Sequence, residues 1–361
     1  MKKNKKLLSV HLNEFDYNYL KYGAKKYNLS GLKSLFKFLK IETYTRDKEQ
    51  NRNLDPWVQC VSINTGLSSN IHGVLNINSK LSGKFLQIWD ILSKKKIKCG
   101  VWGPMNGYYR QNRYLKFFFP DPWNFKTKIF PKQLTKFFYL PSYYAQNYTN
   151  INKITFFKLT TKFLLSIFFT NNFFYFIKNF VFFFKIMLTR GLKKYILFFL
   201  LDIITLNIFL KLVKKYKLDY SQIFFNSLAH FQHNNWNDLK YEKDYFYLTE
   251  KIIQKILNFT EQENYSLILF NGFTQKKKIK YILRLKDTHK FLIEIGVKFK
   301  ALELDMTHGG YIYFDNKIQM NKSIELLKNY SVFGFYLFKV DILTKNKVFY
   351  RIIAAKRWGL S

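Results

Sequence analysis

Short apolar runs alternate with longer amphipathic segments along this chain, and the alternation predicts an α/β fold. Four runs are apolar enough for buried strands, at 7–12, 99–102, 220–228 and 265–270. Segments with helical periodicity lie between them, including 15–27, 86–92 and 245–258. Strands that alternate with helices favour a mostly parallel central sheet with helices on both faces, a three-layer α/β/α sandwich.

Changes in composition divide the chain into a core, an insertion and a C-terminal lobe. Phe, Leu, Ile and Lys dominate between 127 and 214, which predicts a helical insertion that forms a lid or an interfacial lobe. The α/β core would then comprise residues 1–126 and 215–275. Short predicted strands and helices in 276–361 indicate a small α+β lobe.

Two apolar runs raise the question of membrane contact. The run at 195–213 has nearly the length that crosses a bilayer, but Asp202 lies in its middle, where a charge is costly. Lys178 interrupts the other run, at 163–188. We therefore expect buried or interfacial helices that do not span the bilayer. Peripheral membrane contact through 163–213 stays open as an alternative.

The charge balance has two explanations, A/T-rich codon usage, which the composition favours, and an anionic partner. The chain has 60 Lys and Arg residues against 23 Asp and Glu, a formal net charge of +37. Such a charge attracts an anionic small-molecule or glycan substrate. A/T-rich codons, which encode Lys, Asn, Ile, Phe and Tyr, are an alternative origin of this composition. The sequence has no recognisable nucleic-acid-binding motif, so we expect no specific nucleic-acid partner.

The cysteines and the N-terminal sequence favour a cytoplasmic location. Cys60 and Cys99 lack the close spacing of a zinc site or a disulfide framework, and reduced thiols are typical of the cytosol. The basic start is followed by an apolar run that His11 and Glu14 interrupt, so it is a poor signal peptide. Any membrane contact would then be at the inner face of the membrane. The sequence does not predict the oligomeric state.

Residues 55–73 predict a short helix with two recognisable ends. Asp55 can cap its N-terminus, and Pro56 suits its first position because the missing N–H costs nothing there. Gly66 suits a left-handed C-terminal stop. A second turn then returns the chain toward the helix at His72 and the glycine after it.

A histidine-rich segment, residues 226–236, begins at the carboxyl end of the strand predicted at 220–228. Asn226 and His230 are one helical turn apart, and His233 extends the same helix face. Imidazole and amide groups at this spacing can bind a divalent cation. Histidines that only pack in a core or face solvent are the structural alternative. Because the segment begins at the carboxyl end of a strand, it lies where α/β folds bind ligands.

These segments together resemble the alkaline phosphatase superfamily, which includes type I phosphodiesterases/nucleotide pyrophosphatases and sulfatases. The Ser-x-x-Thr-Gly…His-Gly pattern at 62–73 is similar to the segment that follows the superfamily's nucleophile. Asn226 and His230 have the spacing of its Asp-x-x-x-His metal motif. Pro-Trp-x-Gln at 56–59 and Ala-His-x-Gln-His at 229–233 resemble a divergent bacterial branch.

The resemblance covers about 7–125 and 215–275 and implies a metal site at the carboxyl edge of the sheet. The site would hold one or two divalent ions, zinc or manganese. His308 would be a final ligand. The principal implied ligands are Asn13, Glu14, Asn226, His230, His233 and Asn271. Asn replaces the superfamily's Asp at two metal positions, which lowers the negative charge of the site.

The nucleophile of the superfamily is missing at its expected position. Counting back from Thr65 places it at Pro56, which carries no nucleophilic group. Asp55 is adjacent, and its carboxylate can act as a nucleophile or metal ligand, or it can be a helix cap only. Thr65 and Ser62 are alternative hydroxyl groups, and His72 would lie near the catalytic centre.

The sequence therefore predicts a metal-dependent hydrolase or transferase with a degenerate site. Its substrates would be phosphate esters, phosphodiesters in particular, or sulfate esters. The alternative is a non-catalytic pseudoenzyme that uses the same pocket to bind a phosphorylated glycan or a nucleotide-sugar.

Overall fold

The computed structural model folds into two compact units, Met1–Phe138 with Thr161–Lys276, and Tyr139–Thr160 with Lys277–Ser361. The boundaries predicted at 127 and 214 stay predictions. The residues that the structure describes are 6–45, 47, 54–148, 150–167, 173–191, 193–236, 238–275, 283–305 and 309–353.

Among the described residues up to 275, five strands form a single sheet. They are β1 (Lys6–Leu12), β2 (Cys99–Trp102), β3 (Leu115–Phe119), β4 (Tyr220–Phe225) and β5 (Tyr265–Phe270). The helices of this region are α1 (Tyr17–Lys26), α2 (Ser30–Leu35), α3 (Pro56–Thr65), α4 (Ser69–His72), α5 (Ile88–Lys94), α6 (Thr135–Asn147), α7 (Lys153–Ile167), α8 (Phe173–Arg190), α9 (Lys194–Tyr216), α10 (Ser227–Asn235) and α11 (Leu239–Glu263).

The sheet has the order β3-β2-β4-β1-β5, and all of its neighbouring strands are parallel. The prediction of an α/β fold is confirmed. Since the strands are parallel, all of their carboxyl ends lie at one edge of the sheet, and the two central strands, β1 and β4, end side by side there. Leu12 of β1 is paired with Phe225 of β4, so the residues that follow them are neighbours.

Helices cover both faces of this sheet. On one face, Phe209 of α9 packs against Phe117 of β3, with 5.8 Å between the ring centroids. On the other face, Trp89 of α5 packs against Phe118 of the same strand at 5.9 Å. Successive residues of a strand point to opposite faces, and Phe117 and Phe118 are both fully buried. The three-layer arrangement therefore follows from alternation within β3.

Helix α3 lies on the same face as α5. The Asn64 amide oxygen accepts a hydrogen bond from the Gln222 side chain of β4 at 3.0 Å, and Cys60 Sγ lies 3.8 Å from His11 Nδ1 of β1. The helix ends as its sequence predicts, because Gly66 has φ 70°, in the left-handed region. Both cysteines are free and buried.

Helix α9 corresponds to the apolar run predicted at 195–213. It is the one helix in the described part of the chain whose length and hydropathy would suit a membrane crossing. Its buried residues include Phe199, Leu206 and Phe209. Its contacts with β4 and α10 place it in the core of the first unit.

The second unit contains a four-stranded antiparallel sheet of order β10-β11-β7-β6. Leu292, Ile324 and Leu327 of its helices share a core with Ile312 and Val348 of its strands. Residues 283–285, which precede the first helix of this segment, are not in a strand. The elements are α12 (Thr288–Glu294), β6 (Ala301–Leu304), β7 (Gly309–Tyr313), α13 (Lys317–Asn329), β8 (Ser331–Val332), β9 (Phe335–Tyr336), β10 (Phe338–Thr344) and β11 (Lys347–Ile352).

Candidate functional site

A hydrogen-bonded chain of polar side chains crosses the carboxyl ends of β1 and β4. Asn13 directly follows β1, and its Nδ2 donates to Oδ1 of Asn226, the residue after β4, at 2.7 Å. Nδ2 of Asn226 lies 3.3 Å from Nε2 of His230. Nδ2 of Asn13 also donates to Oε1 of Glu14 at 3.2 Å. Four of the predicted site residues are therefore brought together.

Glu14 has a backbone conformation that glycine would favour. Its φ is 57°, in the left-handed region, where a residue with a Cβ is strained by about 1–3 kcal/mol. The side chain is buried, its Oε2 accepts a hydrogen bond from Gln275, and His233 Nε2 is 3.6 Å from the same oxygen. A strained, buried carboxylate at a strand end is typical of a functional position.

Asn13 leaves one buried atom unsatisfied. Its Oδ1 has no hydrogen-bond partner among the described residues, although Nδ2 of the same amide has two. An orphaned buried oxygen is unfavourable unless something binds it. Together with the Glu14 carboxylate and the His233 imidazole, this oxygen gives a donor set that manganese or zinc accepts.

Helix α10 carries the two histidines. His230 is stacked on Phe198 of α9, with 3.8 Å between centroids and 4° between the ring planes. Burial lowers the pKa of His230 to about 4, and the nearby His233 acts in the same direction. His230 is therefore neutral near pH 7, which is the protonation state in which an imidazole can bind a metal.

Asp202 contacts the start of α10, which its position within an apolar run does not predict. Its Oδ2 accepts a hydrogen bond from the Ser227 backbone N–H at 3.0 Å. Burial raises the pKa of Asp202 to about 7, although hydrogen bonds from the helix backbone oppose the shift. Because Asp202 occupies the capping role, the Asn226 side chain is directed to Asn13 and His230. Phe198 and Asp202 are one turn apart on α9, so that helix forms one wall of the site.

Asn271 follows β5 and contacts the His11 side chain of β1 and the Phe15 backbone in the turn after it. Its Nδ2 donates to the Phe15 carbonyl oxygen at 2.9 Å, and its own carbonyl oxygen is 3.1 Å from His11 Nε2. These contacts explain why a polar residue lies at this strand end. They position the loop after β5 beside Glu14, and they use the side-chain NH2 group of Asn271, so its role as a metal ligand through Oδ1 stays a prediction.

Asp55 precedes the first residue of α3 and is half-buried. Its side chain makes no capping hydrogen bond to the described helix backbone, although it has other interactions. The Cys60–His11 contact, one turn further along α3, brings this helix against β1 two residues before Asn13. Asp55 therefore does not act as the simple cap that was the structural alternative.

Thr65 and His72 have structural contacts. Thr65 Oγ1 donates to the Val61 carbonyl oxygen of the preceding helical turn at 2.7 Å. His72 Nδ1 accepts from the Val74 backbone N–H at 3.0 Å, and its Nε2 lies 3.0 Å from the Ser62 hydroxyl. Burial lowers the pKa of His72. Both ring nitrogens hold the turn after α3 in place.

Asp121 is a further buried carboxylate at the carboxyl edge, two residues after β3. It is 4% exposed, and its Oδ1 accepts a hydrogen bond from the Trp123 backbone N–H at 2.9 Å. Burial raises the pKa of Asp121 to about 7. Its place in Pro-Asp-Pro directly after an apolar run is the sequence signal that could have identified it.

The described residues contain no group of three or more His, Cys, Asp or Glu side chains arranged to hold a metal ion. A metal would therefore need the amide oxygens as well. His308, the predicted final ligand, lies outside the described residues. No protein-family model matches the chain, and a comparison with curated proteins finds no match.

Proposed function

We propose that the protein is a hydrolase or transferase that acts on phosphate or sulfate esters with one divalent cation at the carboxyl edge of its sheet. The observation that carries the proposal is the network of Asn13, Glu14, Asn226 and His230. It joins the ends of the two central parallel strands, which is where ligands bind in this class of fold.

The residues that would hold the cation are Glu14, His233 and the amide oxygen of Asn13. When bound, a divalent ion of manganese or zinc supplies Lewis-acid stabilisation of the negative charge that develops on the ester oxygens. Asn226 fixes the orientation of Asn13 through its 2.7 Å hydrogen bond. His230 orients Asn226 in turn, because its Nε2 lies 3.3 Å from Asn226 Nδ2, and Phe198 fixes the ring of His230 by stacking. One carboxylate among mainly neutral donors predicts modest metal affinity.

Asp55 is the proposed nucleophile because it begins the helix that resembles the superfamily's nucleophile helix. The positive end of a helix dipole favours an anionic substrate at this position. The net charge of +37 also raises the local concentration of anionic esters around the molecule.

The experiment is hydrolysis of an aryl phosphodiester, an aryl phosphomonoester and an aryl sulfate with manganese or zinc added. We expect wild-type turnover of one ester class and its loss in His230→Ala. His289→Ala is the matched control, because His289 is exposed in the second unit, and it should retain wild-type rates.

His230 is half-buried and stacked on Phe198, so a second variant separates loss of chemistry from loss of folding. Asn226→Asp adds the carboxylate that the superfamily has at this position and should raise metal affinity and activity at low metal concentration by at least about tenfold. If no ester is turned over by wild type or by Asn226→Asp at any metal concentration, the hydrolase proposal is wrong.

A second candidate is a non-catalytic protein that binds a phosphorylated glycan or a nucleotide-sugar. The observation that favours it is the pair of amides, Asn13 and Asn226, whose side chains already satisfy part of each other's hydrogen bonding. Saturable binding of a nucleotide-sugar that does not depend on metal, without turnover, would support this candidate over the enzyme.

A further inference from the structure

Helix α8 presents an apolar stripe to solvent. Asn179 and Phe183 of the helix are buried, and the helix packs beside α9. The stripe lies on the opposite side, and its most exposed members are Phe174 at 88% and Leu188 at 70%. The stripe consists of Phe174, Ile177, Val181, Phe184 and Leu188.

The spacing of the stripe gives one continuous face. Its members follow each other at intervals of three and four residues, which places them in line along an α-helix. A run of exposed large side chains of this length is unusual on a monomeric soluble surface and marks an interaction site. Lys178 and Lys185 each follow a member of the stripe and are exposed.

The charges carried by α7 and α8 have one sign, although Asp244 of α11 pairs with Arg190 at the end of α8 at 3.0 Å. Residues 153–190 contain Lys and Arg but no Asp or Glu. Lys251 of α11 lies over the Phe182 ring, with Nζ 4.0 Å from the centroid. Burial lowers the pKa of Lys251, and repulsion from Lys178 adds to the effect. Lysines that repel one another beside an apolar stripe form a surface that is complementary to a negatively charged partner.

The cluster extends along α11 and α9. Burial lowers the pKa of Lys255 to about 7, and Lys211 and Lys251 act in the same direction. Lys255 Nζ donates to Asn207 Oδ1 at 2.8 Å. An anionic group near these lysines would relieve the repulsion between them.

We propose that the stripe of α8 lies on the surface of an anionic lipid bilayer, with the surrounding lysines against the headgroups. Phe, Leu, Ile and Val side chains enter the boundary between headgroups and acyl chains, while lysines extend their charged ends to the phosphates. A second copy of the chain is a poorer occupant, because Lys178 and Lys185 would face the same lysines of the partner.

The test is cosedimentation of the full chain with vesicles of phosphatidylcholine alone and with vesicles that also contain phosphatidylglycerol. We expect binding to the mixed vesicles that weakens as salt rises. Lys178→Glu with Lys185→Glu should lower the partition coefficient by at least about 25-fold, since each lysine near an anionic surface contributes roughly fivefold. Phe174→Ser with Leu188→Ser should lower it by at least about tenfold.

Matched controls come from exposed residues of α13. Ile318, at 83% exposure, is replaced in Ile318→Ser, and Lys322 in Lys322→Glu; both variants should bind like wild type. All the substituted residues are exposed, so every variant should have the same melting temperature as wild type. Three results overturn the proposal: no binding to either vesicle, equal loss in the control variants, or a wild-type dimer that Phe174→Ser with Leu188→Ser converts to a monomer.

Discussion

Asp121→Asn should make the protein more stable above pH 7. The Asp121 carboxylate is buried and accepts a backbone hydrogen bond from Trp123. Burial raises its pKa from 3.8 to about 7, so the folded state holds the proton more tightly than the unfolded state. The protonated Asp121 side chain therefore makes its full contribution to the free energy of unfolding below pH 3.8, and this contribution is lost as the pH rises through about 7.

The magnitude follows from the same difference in pKa. At 1.36 kcal/mol per pH unit, it corresponds to about 4 kcal/mol at most. Asn keeps the acceptor for the Trp123 N–H but adds a donor that the site must accommodate, so we expect a gain of about 2–4 kcal/mol above pH 7. Below pH 3.8 the two proteins should differ by less than about 1 kcal/mol.

The assay is urea unfolding of both proteins across this pH range. Asp238→Asn is the matched control, because Asp238 accepts the same type of hydrogen bond, from a backbone N–H two residues ahead at 3.0 Å, but is exposed. It should change stability by less than about 0.5 kcal/mol at every pH. Two results would contradict this reasoning: Asp121→Asn is less stable than wild type above pH 7, or it changes the free energy of unfolding by the same amount at every pH. In either case the buried Asp121 carboxylate does not cause a loss of stability at high pH.

Two further predictions address the nucleophile and the core. Asp55→Asn should abolish ester hydrolysis while unfolding free energy changes by less than about 1 kcal/mol; an active variant in the hydrolysis assay would remove Asp55 as nucleophile. Glu250→Gln should destabilise the fold by about 1–3 kcal/mol in urea unfolding, because the two carboxylate oxygens of Glu250 accept from the Gly31 and Leu32 backbone N–H groups, both at 2.7 Å. An unchanged midpoint would contradict that assignment.

Local sequence patterns predicted four strands of the central sheet, because each is a short run dominated by apolar residues. β3 was not among the predicted runs, and β4 ends at Phe225, before the end predicted at 228, because α10 begins at Ser227. The predicted runs at 99–102 and 265–270 coincide with β2 and β5, and the end of α3 follows from Gly66, whose left-handed φ of 70° few other residues adopt readily. Such signals are local, so they are readable without knowledge of the rest of the fold.

The walls of the site could not be predicted because they depend on contacts between distant segments. Asp202 seemed only an obstacle to membrane insertion, yet it binds the start of α10 at 3.0 Å. Phe198 is 32 residues from His230 in the chain but stacks on it. No periodicity within α9 indicates which helix N-terminus or ring would lie against its face.

The site residues chosen by resemblance form two groups. In one group the contacts leave a polar atom available to a ligand, and in the other the polar atoms make structural hydrogen bonds. Glu14 and Asn13 combine burial, strain and an unsatisfied oxygen, so their role as ligands stays a proposal with physical support. Thr65 and His72 carry hydrogen bonds that stabilise α3 and the turn after it. Sequence spacing alone cannot distinguish a side chain that faces a cleft from one that holds a turn.

The most direct test of the central claim is calorimetric titration of the purified protein with manganese. We expect one ion per chain in wild type and an affinity at least about tenfold lower in Glu14→Gln, which removes the charge but keeps the shape of the side chain. Glu294→Gln, at an exposed position, should bind like wild type. Absence of manganese and zinc binding in wild type, or equal affinity in Glu14→Gln, would contradict a metal site at the carboxyl edge of the sheet.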